Sequence, residues 1–359
     1  MSKINKKKYF DELNIFRALV ILLVTLGHST IAFTDYSSFS LTGLLYGYAY
    51  SFHMPALFLL SGMLFSGKFT ESKSIKQKSE ITLNRFERLM IPYFFYTAVS
   101  FVLKLFMQRY AFNPVQTSVK TFVDILFGVN NPNGGLWFLN TLFFITLISL
   151  LINRIDIRIS TVAALILSII TEFTPWLKFE YTKNITICLV YFLLGILIST
   201  KCNYDKISEK FSKIKNKNLL SIITAICLVL SVTITYLNLF IIDSKILVFV
   251  IRFFNIFTFY LVACAISVNS THTKKLTMMI GNYGMDIYML GYYIQIAIRV
   301  VFYTILGLNI YICSFAMFIF PIFITIPISK YIVRKFKITR AVMLGDFKTL
   351  KGKVKNEKA

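Results

Sequence analysis

The chain is built from long apolar runs that are separated by short polar segments. Each run is about 20 residues long, which lets a helix cross the hydrocarbon core of a bilayer. The ten runs lie near residues 13–33, 41–65, 90–108, 135–152, 157–173, 185–200, 219–240, 246–268, 283–306 and 308–332. The pattern predicts an all-α fold, a polytopic integral membrane bundle of about ten transmembrane helices.

Composition changes the interpretation of the charge. The chain is 56% hydrophobic and only 15% charged, whereas soluble proteins average about 25% charged residues. A formal charge of +23 would favour a nucleic-acid partner in a soluble protein. Here Lys and Arg fall mostly in alternate loops, so we expect membrane lipid as the partner and no nucleic acid. The five cysteines show no metal-ligand spacing, so we expect no bound metal or cofactor.

The distribution of basic residues sets the expected orientation, because Lys and Arg accumulate on the cytoplasmic side. With the N-terminus inside, the cytoplasmic segments hold 30 of the 39 basic residues and the outer loops hold five. This predicts cytoplasmic N- and C-termini in a multi-pass cell-membrane protein. The first run lacks a small-residue cleavage motif and is expected to be a retained helix.

Domain organisation follows from the same pattern. We expect one membrane-embedded domain over residues 1–335 and a basic cytoplasmic tail over 336–359, solvated beside anionic lipid. Residues 119–129 are apolar but too short to span, so they are predicted to lie in the interface or re-enter the membrane.

Ionisable side chains inside the runs need a reason, because each costs on the order of 3 kcal/mol at the bilayer centre. Arg17 and His28 share one face of the first helix, about 16 Å apart along its axis. His53 lies at a similar depth, about 20 Å, on the antiparallel second helix. Two meeting imidazoles suit proton transfer. The alternative is that Arg17 snorkels to the interface and the histidines only pack.

A basic cluster begins the third run. Arg85 and Arg88 either anchor the helix on the cytoplasmic side or bind phosphate, whose oxygens match guanidinium forks. Ser61 and Gly62 allow close backbone approach near the same end. His272 is predicted to be solvated in a short cytoplasmic loop.

Four motifs in this order resemble the membrane-bound acyltransferase 3 family, which includes sugar O-acetylases, and in particular its fucose 4-O-acetylase-like branch. They cover roughly residues 11–140, and GNYGMDIYMLGYYIQ near the ninth run adds to the resemblance. The motifs are Arg17 and His28 at the Arg-x10-His spacing, Phe52-His53-Met54-Pro55 with Leu60-Ser61-Gly62, Arg85-x-x-Arg88 with Ile91-Pro92-Tyr93, and Leu136-Trp137-Phe138-Leu139.

The resemblance implies an O-acyltransferase, with acetyl transfer as the first expectation. The donor would be cytoplasmic acetyl-CoA or another acyl-CoA, and the acceptor a hydroxyl of a cell-surface glycan or its lipid-linked precursor. Arg85 and Arg88 would hold the phosphates of CoA, with Arg17, Ser61 and Trp137 also contacting substrate. His28 would take the proton of the acceptor hydroxyl, directly or through an acyl-histidine step. His53 would orient His28 or share the proton.

The chain departs from the family at two positions. Gly291 stands where many members have a histidine in the ninth helix, and Asn140 follows the Trp segment where some have Glu. Two rival functions therefore stay open. One is a transporter or flippase for a lipid-linked glycan or small solute, which would use buried charges to line a path. The other is a sensory or scaffolding protein without catalysis. Acyl-CoA binding would separate the enzyme from both. Low Trp with high Lys, Asn and Ile favours a bacterial plasma membrane.

Overall fold

The computed structural model describes residues 10–31, 40–106, 118–174, 182–202, 204, 208–209, 217–269, 271–348 and 350. All regular structure in these residues is helical. The α-helices are α1 (Asp11–Ile31), α2 (Leu41–Glu71), α3 (Ile75–Arg85), α4 (Ile91–Phe106), α5 (Val119–Leu126), α6 (Trp137–Leu151), α7 (Ile157–Phe173), α8 (Lys183–Lys201), α9 (Lys217–Leu237), α10 (Lys245–Asn269), α11 (Thr271–Asn282), α12 (Gly284–Ile298), α13 (Ile310–Ile328) and α14 (Lys337–Leu344).

The predicted runs form helices, and within the described part of the chain nine helical stretches are long and apolar enough to cross a membrane. The remaining run, 157–173, forms α7, whose 17 residues make it shorter than the nine. The all-helical, multi-pass architecture is therefore confirmed. The count of about ten and the side on which the termini lie stay predictions.

The chain divides into two compact units. The first consists of Met1–Leu60 and Lys201–Ile326, and the second of Ser61–Thr200 and Pro327–Ala359. The boundary between residues 60 and 61 falls inside α2, which has 31 residues and is therefore about 46 Å long. Because the hydrocarbon core is only about 30 Å thick, α2 extends beyond it. The single domain predicted for residues 1–335 remains untested.

In the first unit, α1 packs against α10, α11 and α12. A polar cluster joins α2, α9 and α10 around Asn255, which is fully buried. Its Oδ1 accepts from the Ser231 hydroxyl at 2.7 Å, and its Nδ2 donates to Ser51 at 3.2 Å and Thr235 at 3.1 Å. The Tyr48 hydroxyl lies 2.6 Å from Ser231. Hydrogen bonds between helices are a main source of packing specificity where the solvent is lipid.

In the second unit, α3 begins with a capping box. The Ser74 side chain accepts from the Gln77 amide, and the Gln77 side chain accepts from the Ser74 amide. After α3, the chain makes a π-helical turn at Phe86–Met90 before α4. The side-chain amide of Asn153, after α6, donates to the Ser72 hydroxyl at 2.9 Å. These contacts fix α3 and the turn against α6.

Three segments differ from the expectation or refine it. Residue His272 lies exposed on helix α11 rather than in a loop. Part of the predicted tail forms α14, which packs against α4. The short run at 119–129 forms α5, where Asn140 donates to the Leu126 carbonyl at 2.8 Å and the Tyr93 hydroxyl donates to that of Ile125. These two hydrogen bonds join α5 to the first turns of α4 and α6.

Candidate functional site

Tyr50 on α2 contacts both predicted catalytic histidines. Its hydroxyl lies 3.4 Å from Nδ1 of His28 on α1. Its ring meets the imidazole of His28 edge-on, with centroids 6.1 Å apart, and that of His53 with centroids 4.7 Å apart. The two histidines thus belong to one cluster, as their depths predict, and a tyrosine links them.

The hydrogen bond of His53 fixes its tautomer. Nδ1 of His53 lies 2.6 Å from the carbonyl oxygen of Ala49, one turn earlier in α2. A carbonyl can only accept, so Nδ1 carries the proton and Nε2 holds the lone pair when the ring is neutral. The side chain is 3% exposed. His53 is therefore a fixed, enclosed imidazole.

His28 lies in a more open position. It is half-buried, and its ring centroid is 6.4 Å from that of Tyr292 on α12. Gly27, the preceding residue, permits this arrangement, because a Cβ there would lie 2.6 Å from the Tyr50 ring. Of the two histidines, His28 is the one with surface left for a reactant.

Gly291 occupies the position of the missing family histidine and lies beside α13. A Cβ added there would point at Pro321 on α13, at 3.4 Å. The side chain facing His28 belongs instead to the next residue, Tyr292. The other departure, Asn140, is 1% exposed and bonded to the end of α5. Both positions are filled by packing in this chain.

Arg17 lies where α1 docks on α11 and α12. Its Nη1 is 3.5 Å from Oδ1 of Asn14, and Asn14 Nδ2 donates to the Met278 carbonyl at 3.0 Å and to Asn282 Oδ1 at 3.1 Å. A Cβ on Gly281 would overlap the Asn14 carbonyl, so only glycine fits. A Cβ on Gly284 would lie 3.5 Å from Cδ of Arg17. The Gly-Asn-Tyr-Gly segment is therefore the surface on which the Arg17 turn rests.

A second polar contact holds the start of α1. The Tyr204 hydroxyl donates to Oε1 of Glu12 at 3.0 Å and lies 2.9 Å from the Tyr260 hydroxyl. Burial, together with the neighbouring Tyr260 and Glu12, raises the pKa of Tyr204, so this hydroxyl keeps its proton and remains a donor. Asp11 adds an ion pair with Lys274 at 2.6 Å. The α1 turn that precedes Arg17 is thus firmly anchored.

The predicted phosphate-binding arginines lie in the second unit. The Arg85 guanidinium carbon lies 4.7 Å from the centroid of the Phe65 ring, a cation–π contact, and Phe65 is fully buried. The buried Nε of Arg85 has no hydrogen-bond acceptor among the residues described. Arg88, one turn on, is exposed. Two guanidinium groups with donors left for a ligand suit an anion such as phosphate.

The remaining predicted residues have structural surroundings of their own. The close approach at Gly62 is made to α8, because a Cβ there would overlap the Phe192 carbonyl. Ser61 precedes it, half-buried. Trp137 begins α6, six residues before Phe143, whose ring contacts Phe86 next to Arg85. That separation is about 9 Å along α6.

The structure therefore groups the predicted residues in two sets. His28, His53 and Arg17 belong to the first unit, and Ser61, Arg85, Arg88 and Trp137 to the second. Tyr50 and Tyr292 were not predicted, although Tyr50 stands one helical turn before His53 in the same motif. In the described residues no group of three His, Cys, Asp or Glu side chains could hold a metal ion.

Comparison with known proteins identifies the family of the chain. Residues 10–332 match the family Acyl_transf_3, described as an acyltransferase domain. No curated protein and no solved structure matches the chain. The match includes eight of the nine apolar helical stretches in full, the ninth up to residue 332, and every predicted site residue. The chain therefore belongs to the acyltransferase 3 family and is a multi-pass membrane acyltransferase.

Proposed function

We propose that the protein is an O-acyltransferase that moves an acyl group, with acetyl as the first candidate, from cytoplasmic acyl-CoA to a hydroxyl of a cell-surface glycan or its lipid-linked precursor. The observation that supports it most is the His28–Tyr50–His53 cluster in a chain of this family. An imidazole with surface left for a reactant and a hydrogen-bonding neighbour suits general base catalysis at a hydroxyl.

His28 is the proposed base. For Nε2 of His28 to accept the proton of the acceptor hydroxyl, Nδ1 must carry a hydrogen. That N–H donates a hydrogen bond to the hydroxyl oxygen of Tyr50. This is the same logic as a catalytic triad, in which a third group orients the base. The separation of 3.4 Å is long for a hydrogen bond, and such contacts often shorten when substrate binds.

The proposed reaction is a direct transfer of the acyl group from sulfur to oxygen. The acceptor oxygen attacks the thioester carbonyl carbon, a C–O bond forms and the C–S bond breaks. The hydroxyl proton passes to His28 Nε2 and then to the departing CoA thiolate. His53 is proposed to orient His28 or to share the proton, through the Tyr50 side chain that contacts both rings.

Arg85 and Arg88 are the proposed contacts for the phosphates of CoA, because guanidinium forks match phosphate oxygens. Phe65 holds the Arg85 group in place. Arg17, Ser61 and Trp137 are proposed to contact donor or acceptor in lesser roles. The expected bacterial plasma membrane makes an envelope glycan the first acceptor to test.

The first experiment follows label from radioactive acetyl-CoA into glycan and lipid in membranes that contain the wild type, His28→Ala or His272→Ala. General base catalysis contributes about 10²–10⁴ in rate, so His28→Ala should lose transfer by that factor. His272→Ala is the matched control, since this histidine is exposed on α11 and should leave transfer unchanged.

The outcomes separate the competing functions. Full transfer by His28→Ala would remove the proposed base. Absence of transfer by the wild type, together with no binding of CoA, would overturn the enzyme proposal in favour of a transporter or flippase.

A further inference from the structure

The segment that follows the last apolar run ends against the π-helical turn Phe86–Met90. This turn, which follows Arg85 and contains Arg88, is here called the arginine turn. Gly345, directly after α14, has a φ of +66°, the left-handed region that favours glycine. A Cβ on Gly345 would overlap the carbonyl oxygen of Glu87 and lie 2.5 Å from Cα of Arg88. The backbone of Gly345 thus touches the backbone of the turn that follows Arg85 and contains Arg88.

Local contacts hold this segment in shape. Arg340 Nε donates to Oδ2 of Asp346 at 2.8 Å, and its Nη2 lies 2.6 Å from the same oxygen. The bond closes the chain reversal at Gly345. Ala341 and Leu344 are 1% and 6% exposed where α14 packs on α4. A freely solvated tail would need neither the buried face nor the ion pair.

The turn it touches is one of four π-helical segments in the described residues. Phe86–Met90 is π-helical, with the amide of Ile91 bonded to the Phe86 carbonyl. A π-helical turn is rare and widens the helix, and it occurs often at functional sites. Leu89 and Met90 are buried, at 3% and 4%, while Arg88 is exposed. The backbone of Gly345 therefore supports the exposed side of a turn whose other side is packed.

We propose that residues 337–346 are a positioning element that holds the Phe86–Met90 turn so that Arg85 and Arg88 bind the phosphates of the acyl donor. The inference rests on the proposed donor site and deepens it, since it assigns donor affinity to a segment beyond the apolar runs. Gly345, Arg340 and Asp346 are positioning residues that act through the turn. Donor binding should depend on them, and turnover at saturating donor should not.

The test compares two glycine substitutions with the same backbone conformation. Gly345→Ala places a methyl group against Arg88, whereas Gly307→Ala has a similar φ of +62° and open space around the added Cβ. Both carry the cost of a left-handed alanine, so their difference reports the contact alone. The purified wild type and both variants are titrated with CoA, and hydrogen exchange is measured at the amides of residues 86–90.

We expect Gly345→Ala to weaken CoA binding about tenfold, which corresponds to about 1.4 kcal/mol, and to speed exchange in the turn. Acyl transfer should show a higher KM for the donor and an unchanged kcat. Gly307→Ala should match the wild type in all of these. Arg340→Ala, Asp346→Ala and the double variant should weaken binding to the same degree, because a pair that acts as a unit is not additive.

The results distinguish this inference from the donor site itself. If the wild type binds CoA and Gly345→Ala and Asp346→Ala bind it with the same affinity, the positioning role is overturned and the donor site stands. A wild type that does not bind CoA would overturn the donor site. A fall in kcat with an unchanged donor KM would also contradict positioning.

Discussion

Tyr50 shows how much of this site depends on a single side chain. It stands three residues before His53 and faces the same side of α2, so its ring lies against that imidazole while its hydroxyl reaches the other. The tautomer of His28 is fixed only if an oxygen accepts a hydrogen bond from its Nδ1, and a histidine side chain has no oxygen. A tyrosine hydroxyl supplies one without adding a charge to the membrane interior.

We predict that Tyr50→Phe lowers acyl transfer about tenfold. Phenylalanine keeps the ring contacts and removes only the hydroxyl, and the loss of one hydrogen bond of about 1.4 kcal/mol is a factor of ten in rate. The measurement is the transfer of label from acetyl-CoA at saturating donor. Tyr311→Phe, at an exposed position of α13, is the control. Equal rates for Tyr50→Phe and wild type would show that the hydroxyl does not orient the base.

The residues of the site were predictable to different degrees. Arg17, His28, His53, Arg85 and Arg88 stand out because ionisable groups are rare and costly within apolar runs. Tyr50 and Tyr292 do not stand out among 20 tyrosines, many of them near the ends of runs where aromatic belts form. Spacing alone shows which residues share a helix face, whereas the contacts of Tyr50 on α2 and Tyr292 on α12 with His28 on α1 require the packed structure.

At the scale of helices, the apolar runs predict most elements and miss those that are not apolar. Helix α3 is polar and α11 is mixed, so neither reaches the hydropathy of a span. Both form because a cap or a neighbour stabilises them: α3 has its capping box, and α11 is bonded to Asn14 and Asp11 on α1. Such helices depend on tertiary contacts, which a periodicity pattern does not contain.

The Asn255 cluster gives a prediction about how α2, α9 and α10 hold together. Asn255→Ala removes three hydrogen bonds and leaves Ser231, which is fully buried, without one partner. Interhelical hydrogen bonds in membrane proteins contribute on average about 0.6 kcal/mol each, so we expect a loss of about 1–2 kcal/mol in unfolding free energy.

A fluorogenic maleimide reports this loss, because Cys188, Cys264 and Cys313 are buried and react only on unfolding. The midpoint of thermal unfolding in detergent should fall for Asn255→Ala. Asn269→Ala is the control, since it removes an exposed bond to Ser221 at the end of the same helix. Similar midpoints for Asn255→Ala and Asn269→Ala would show that the cluster adds little to stability.

At the scale of the whole molecule, the proposed site residues are distributed over both units. The histidine cluster and the anchored Arg17 turn lie in the first unit, and the arginine turn with α14 lies in the second. Both units contain segments from the middle and from the C-terminal part of the chain. A truncation after the motif region would therefore remove α10, α11 and α12 from α1, and α14 from the arginine turn.

Orientation in the membrane is the last prediction, and the native cysteines provide the means to test it. Cys202 is exposed and follows α8, in a segment that the basic residues place in the cytoplasm. A membrane-impermeant maleimide should therefore leave Cys202 unlabelled in intact cells and label it in inverted vesicles. Lys245→Cys in a Cys202→Ser background should show the reverse, because residue 245 is exposed in a predicted outer loop. Labelling of Cys202 from outside would place the arginine turn away from cytoplasmic CoA, and the donor assignment would then fail together with the topology.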